Sequence, residues 1–359
     1  MPTFDIIKGT KPNKTFRVAS VIGKFDLQSE HIVEQFKGNI EIPENWQVGL
    51  IVGKSGTGKT TIAKQLFEDA YITNFEYNAE TVLDDMPKNC SVEQITNAFN
   101  SVGFSSPPSW LKPYSVLSNG QKMRVDLARA ILDEKEFFVF DEFTSVVDRN
   151  VAQIGSFAMQ KAIRKSSKKF IAVTCHFDVQ DWLLPDWIFN TDTMTFQSFE
   201  GQKKNRPEIK FEIYNTTDKT IWKMFSKHHY LSHTHNNAAN VFVATINDEI
   251  AGFLSVFHFP HPKVKNFKAV HRLVILPDYQ GAGFGIKFLN EVGKVYKNEK
   301  WRYIITTSAP SLIWGLKKSN LWALKQFGRK PPQNLDTGNP ISTRKTDSSL
   351  RLTASFELK

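Results

Sequence analysis

Two stretches of this sequence carry the residue types that hold phosphate. The first, "GKSGTGKT" at 53–60, sets glycines among polar side chains and ends on Gly58-Lys59-Thr60. Glycines let the main chain bend so that successive N–H groups face one anion. Gly53, Lys54, Ser55, Gly56, Thr57, Gly58, Lys59, Thr60 and Thr61 are therefore the expected cradle of ATP. In this P-loop pattern the Lys59 ammonium reaches the β- and γ-phosphates and the Thr60 hydroxyl serves as a ligand to Mg2+. "FFVFDE" at 137–142 supplies the second half of the chemistry. Asp141, at a strand end, is expected to hold Mg2+ through its water shell, and Glu142 to polarise the attacking water.

The second stretch is "LPDYQGAGFG" at 276–285. Its glycines follow an apolar strand pattern and open a helical one, so amides from about Gln280 through Gly281, Ala282, Gly283 and Phe284 to Gly285 are expected to face a pyrophosphate. The order is not G-x-G-x-x-G, and no acidic ribose partner follows a next strand, which speaks against a dinucleotide.

The elements that must position these loops follow from apolar periodicity. "WQVGLIV", "EFFVF" and "KFIAVTC" read as buried strands in a sheet flanked by helices. After a polar segment, "QSFEGQKKNRPEIK", the strands "IKFEIYN", "VFVATIND", "IAGFLSVFHF", "KAVHRLVILP" and "RYIITTS" surround the helices "DKTIWKMFSKHHY" and "FGIKFLNEVGKVYK". A long basic loop at 329–349 precedes a last strand, "LRLTASFEL". These patterns divide the chain into domains at 1–200 and 209–359 with a linker at 201–208.

"LSNGQ" at 117–121, heading the helix "QKMRVDLARAIL", resembles the signature of ABC-type ATPases. "TSVVD" at 144–148 is similar to that family's dimer-contact loop, and His176 in "AVTCH" to its switch histidine. The resemblance implies that Ser118, Gly120 and Gln121 bind the γ-phosphate of an ATP held by a second copy, in a head-to-tail homodimer. No glutamine stands where the family's Mg2+-sensing loop belongs; Asp84 or Asp85 in "TVLDDMP" is the positional equivalent. Phe25 reads equally as an adenine-stacking ring or as a core residue. Only 59 positions separate Lys59 from Ser118, which excludes a long coiled-coil insertion.

The 276–285 loop resembles the pyrophosphate loop of GNAT acyltransferases, whose pattern is Gln/Arg-x-x-Gly-x-Gly/Ala. The expected fold is thus α/β: a P-loop ABC-type ATPase domain followed by an α+β GNAT domain. The resemblance implies an acyl-CoA, acetyl-CoA foremost, attacked directly by an amine. Main-chain N–H groups near Val274 and Ile275 would polarise the thioester. His229 and Tyr230 are the first acid–base or positioning candidates. Arg272 and Ser308 are expected at the cleft, although Tyr230 reads equally as a core aromatic and Arg272 as a surface ion-pair partner. "WKMFSKHHYLS", "HRLVILPDYQGAGFG" and "TTSAP" are similar to the phage Mom-like, DNA-modifying branch of that family. Such a fusion resembles an architecture of phages and mobile elements.

Charge bears on the acceptor. Residues 1–205 hold 23 Lys+Arg against 25 Asp+Glu, and residues 206–359 hold 23 against 11, so the net +10 sits in the second half. A basic half suits a polyanion, DNA foremost, although CoA is itself polyanionic. Seven of the nine histidines lie between His228 and His271. His229 and His233 have metal-ligand spacing if one helix carries both, but no carboxylate completes a site. Two cysteines exclude a disulfide framework, and no apolar run is long enough for a membrane helix. The N-terminus lacks the form of a secretion signal. A cytoplasmic setting is expected, the host cytoplasm if the gene is a phage's. Three functions stay open: DNA-base acylation, acylation of a small amine or protein under ATPase control, and a non-catalytic DNA-associated sensor.

Overall fold

The computed structural model describes residues 3–10, 15–26, 32–199, 205, 208–229, 234–259, 266–329 and 352–359. Along the chain come β1 (Thr3–Thr10), α1 (Phe16–Phe25), β2 (Ile32–Asn39), β3 (Val48–Val52), α2 (Lys59–Leu66) and β4 (Tyr71–Ile72). Three helices follow, α3 (Val92–Ser101), α4 (Pro107–Trp110) and α5 (Asn119–Leu132), then β5 (Phe137–Phe140) and α6 (Arg149–Ile163). Next are β6 (Lys169–Thr174), α7 (Val179–Leu183), β7 (Trp187–Asn190) and β8 (Thr195–Ser198). The second half holds β9 (Phe211–Thr216), α8 (Trp222–Ser226), β10 (Asn240–Ile246), β11 (Glu249–His258) and β12 (Phe267–Ile275). It closes with α9 (Phe284–Asn298), β13 (Arg302–Thr307), α10 (Pro310–Lys317), β14 (Trp322–Arg329) and β15 (Leu352–Leu358).

Contacts group these elements into two compact units. One comprises residues 1–75, 134–146 and 163–206; the other comprises 76–133, 147–162 and 207–359. The α3–α5 segment and nearly all of α6 thus pack with the second half of the chain.

In the first unit six strands run in the order β4-β5-β6-β3-β7-β8, and every neighbouring pair is parallel except β7 with β8. All five residues of β3 are buried, as expected of a strand covered on both faces. An antiparallel pair, β1 with β2, contributes Phe4, Ile6 and Phe36 to a core with Ile51, Ile62, Trp187 and Phe189.

In the second unit seven strands run β14-β15-β13-β12-β11-β10-β9, antiparallel but for β12 with β13. One face packs on α9 and α10 through Phe288, Leu289, Val292, Ile313 and Leu316. Trp222 and Phe225 of α8 bury against Val241, Val243 and Phe253. The helix expected over "DKTIWKMFSKHHY" is confined to the five residues of α8, because only this i, i+3 apolar pair finds a buried place.

Candidate functional site

The parallel order around β6 brings three loops to one edge of the first sheet. The P-loop follows β3, the Asp141–Glu142 pair follows β5, and His176 follows β6, which lies between those two strands. Sequence-distant residues meet there because parallel strands all end on the same side. Thr60 Oγ1 donates to Asp141 Oδ2 at 2.7 Å, and the Tyr71 hydroxyl donates to the same oxygen. Burial, then the Asp141 carboxylate, pushes the Tyr71 phenol above its usual range, so it stays a proton donor to Asp141. Asp141 Oδ1 accepts the Glu142 N–H at 2.8 Å. Glu142 is exposed, and Ser145 Oγ donates to its Oε2 at 2.6 Å. Hydroxyl and carboxylate oxygens are the hard ligands Mg2+ prefers, so Thr60 and Asp141 fit that ion.

The corner after β5 is strained. Glu142 has φ 52° and Thr144 φ 67°, left-handed values that a β-branched threonine rarely adopts. Strain of this kind persists where surrounding contacts over-determine it, and it clusters at functional corners.

The P-loop is braced by residues that carry no motif. The Lys54 N–H donates to Asp192 Oδ1 at 2.7 Å, and the Thr57 and Thr191 hydroxyls lie 2.6 Å apart. Lys59 is buried, with its ammonium donating to Lys54 O at 2.7 Å across the loop. Lys8 Nζ donates to Thr61 Oγ1 at 2.9 Å. Gly53 is buried, whereas Lys54, Ser55 and Gly56 are exposed. Phe25, at the end of α1, is 65% exposed and so is not a core residue.

In the second unit Ser118 caps α5 and is exposed. Its hydroxyl accepts the Gln121 N–H at 3.3 Å, and Gln121 Oε1 accepts the Ser118 N–H at 3.1 Å. Gly120 is buried beneath that turn. Asp84 and Asp85 hold a turn: Asp84 Oδ2 accepts the Thr81 hydroxyl at 2.5 Å, and Asp85 Oδ1 accepts the N–H groups of Asn78 and Ala79.

The 276–285 loop links β12 to α9. Gly283 is the N-cap of α9, exposed, with φ 97° and ψ 9°. Gly58 caps α2 with φ 84° and ψ 5°, and neither cap is closed by a side chain. Both helices therefore begin on a left-handed glycine, with the N–H groups of their first turn left for a ligand. In α9 the first such donors are Phe284, Gly285 and Ile286, since Lys287 N–H already donates to Gly283 O. Gln280 stands apart from the expected row of amides. Its N–H donates to Pro277 O at 3.3 Å, its Nε2 to Ile275 O at 2.8 Å, and its Oε1 accepts the Ser105 N–H at 2.9 Å. Beyond Gln280 the loop continues through Gly281, which packs against Gly103, to Ala282, Gly283 and Gly285. Lys161 Nζ, on α6, lies 3.6 Å from the point where a Cβ on Gly283 would stand.

Beside this loop β12 and β13 part, leaving the β12–β13 cleft expected at this end of the sheet: β12 pairs with β13 only through Phe267–Ala269 and Arg302–Ile304, while the other edge of β13 pairs with β15. The last part of β12, with Val274 and Ile275, keeps only its β11 partner. Ser308 follows the end of β13. Arg272 donates to the carbonyls of His271 (2.9 Å) and Thr234 (3.1 Å). His271 Nε2 accepts the Asn236 N–H at 3.1 Å, and burial, then the Arg272 cation, lowers its pKa to about 4. His235 packs between Trp222, Phe253 and His271, with burial lowering its pKa as well. His229 is buried against Trp222. Tyr230 and His233 lie outside the described residues, as do most of the linker and of the basic loop at 329–349. Among the described residues no group of three His, Cys, Asp or Glu side chains is placed to hold a metal.

Comparison with known proteins accords with this geometry. Residues 49–184 match the family model "ATPase family associated with various cellular activities (AAA)", and residues 237–320 match "Acetyltransferase (GNAT) domain". A dimeric ATP-binding cassette solved in a post-hydrolysis state with ADP and Pi is 15% identical, over 47% of this chain and 93% of its own, with a TM-score of 0.38. The ribosomal-protein-S18-alanine N-acetyltransferase from Escherichia coli is 13% identical, over 42% of this chain and 93% of its own, with a TM-score of 0.31. The chain joins a P-loop ATPase-like domain to a GNAT-like acetyltransferase domain. No helix among the described residues is long and apolar enough to cross a membrane.

Proposed function

We propose that this protein is an ATP-hydrolysing, acyl-CoA-dependent N-acyltransferase whose acceptor is an amine on a DNA base. The observation that carries the reading is the pair of helices begun on open, left-handed glycines, Gly58 and Gly283, in two different units of one chain. Each is an anion site, and the residues around them differ as ATP and CoA require.

At the first site Thr60 and Asp141 would hold Mg2+, which neutralises phosphate charge. Lys59 would swing from Lys54 O to the phosphates, and Glu142, oriented by Ser145, would accept a hydrogen bond from the attacking water. The ABC-type reading rests on "LSNGQ" at the head of α5, where Ser118 and Asn119 are exposed. It implies a head-to-tail dimer formed on ATP, with His176 at the γ-phosphate. At the second site the N–H groups of 284–286 would hold the CoA diphosphate beside Lys161, leaving the acyl group toward the β12–β13 cleft. His229, Arg272 and Ser308 remain the positioning candidates.

DNA as acceptor is supported by the +12 balance of residues 206–359, which follows from 23 basic against 11 acidic residues, and by the Mom-like resemblance. A phage or mobile-element origin and a cytoplasmic setting belong to the same reading. The test is incubation of the purified chain with Mg-ATP, acetyl-CoA and duplex DNA, followed by mass spectrometry of the nucleosides. An acyl adduct on a base, with DNA affinity falling steeply as salt rises, is expected. Unmodified DNA alongside acylation of a small amine or protein would contradict it.

A further inference from the structure

The 276–285 loop does not stand alone: α5, α6 and the turn after α3, which lie in the same unit, are built against it. Arg124, on α5, is 1% exposed, and its two terminal nitrogens donate to Pro277 O at 2.7 Å and Asp278 O at 2.6 Å. Its ion pair with Asp278 is longer, 3.7 Å, and burial lowers the guanidinium pKa to about 10 against that carboxylate. A buried cation is costly unless its donors are satisfied, so one placed on two main-chain carbonyls fixes their position closely. The turn after α3 makes a second clamp. Gly103 and Gly281 are both left-handed, with φ 86° and 91°, and a Cβ on Gly281 would stand 2.7 Å from Gly103 Cα and 2.8 Å from Ala158 Cβ on α6. Two main chains meet there at a distance that only glycine permits. The Ser105 N–H, held by Gln280, closes the same seam. On the far side Asn247 Nδ2 donates to Gln153 Oε1 at 2.7 Å, and Ile154 packs with Ile246, Tyr279 and Phe284.

Arg124 lies six residues past Ser118, on the helix that Ser118 caps. A shift of α5 as a rigid rod would therefore carry the 277–281 strap with it, and that strap sets where Gly283 presents the first turn of α9. We infer that Arg124 is a positioning residue for the acyl-CoA loop, and that through it acyl-CoA binding and occupancy of Ser118 by nucleotide are coupled. This rests on the two-ligand reading above and adds to it a stated route between the sites. By linkage each ligand must change the affinity of the other by the same factor.

Calorimetry on the full chain tests this, with acetyl-CoA titrated in the absence and presence of Mg2+ and a non-hydrolysable ATP analogue. The acetyl-CoA Kd should change by about 5-fold or more, and the analogue's Kd should change by the same factor when acetyl-CoA is present. In Arg124→Lys, one ammonium cannot bridge both carbonyls, so both ligands should still bind with the factor reduced toward one. Ser118→Arg should remove the factor. Acetyl-CoA affinity that is identical with and without the analogue in the unmodified protein overturns the coupling alone. Absence of acetyl-CoA binding in both conditions overturns the acyl-carrier reading and the coupling with it. The unmodified protein decides the coupling even if a variant fails to fold.

Discussion

Asp141 shows how much of a site a motif leaves unsaid. The sequence marks it as a metal ligand through "FFVFDE", yet the oxygen it shares with Thr60 is also held by Tyr71, a residue in a two-residue strand with no motif around it. Tyr71→Phe should lower ATP turnover about 10-fold, since a hydrogen bond to a charged group is worth ~1.5–3 kcal/mol, and should raise the Mg2+ concentration needed for half-maximal rate. An unchanged Mg2+ dependence in that assay would remove Tyr71 from the site. His271 makes a second, pH-dependent case. Its folded pKa is near 4, below the ~6.5 of an unfolded imidazole, so the unfolded chain binds the proton more readily. Its contribution is present above pH ~6.5 and is lost as pH falls toward 4. Denaturant midpoints measured across that window should fall with pH, and His271→Gln should flatten part of the fall. An equal slope in the variant would contradict the assignment. Neither Tyr71 nor the depressed histidine could be read from the sequence, because each depends on packing: Tyr71 meets Asp141 from far along the chain, and His271 is depressed first by its burial.

Strands were the most legible elements. "WQVGLIV", "KFIAVTC" and "KAVHRLVILP" appear as β3, β6 and β12, and the helix after the second loop as α9, because uninterrupted apolar runs and a clear helical stripe are local signals. The β1–β2 pair carries no motif and no long apolar run. It matters, because the Phe36 ring lies against Gly58, where an added Cβ would come within 2.5 Å of it. Phe36→Ala should destabilise the protein by about 3–5 kcal/mol and weaken ATP binding more than acetyl-CoA binding. Equal loss of both ligands would mean that the strand pair supports the fold generally and not the P-loop. α8 fell short of its expected length for the complementary reason. One buried turn cannot sustain a run of polar, β-branched and histidine residues as helix.

At the scale of the molecule, sequence order and spatial grouping diverge. Residues 76–133, between the P-loop and the acidic strand and part of the ATPase half by order alone, pack in the unit that carries the 276–285 loop. No local pattern announces such a partnership; it is written in single residues such as Gly103 and Arg124, whose types are ordinary until Gly281 and Pro277 are seen beside them. Calorimetry with an ATP analogue and with acetyl-CoA, on Lys59→Ala and Gly283→Val, tests directly whether one chain holds two separate phosphate cradles for two ligands. A side chain at Gly283 must adopt φ 97°, which a β-branched residue rarely does, and would stand beside Lys161 where the anion is expected, so Gly283→Val should abolish acetyl-CoA binding and leave ATP-analogue binding intact. Lys59→Ala should do the reverse. An acetyl-CoA affinity unchanged by Gly283→Val, or lost in Lys59→Ala, would contradict the account.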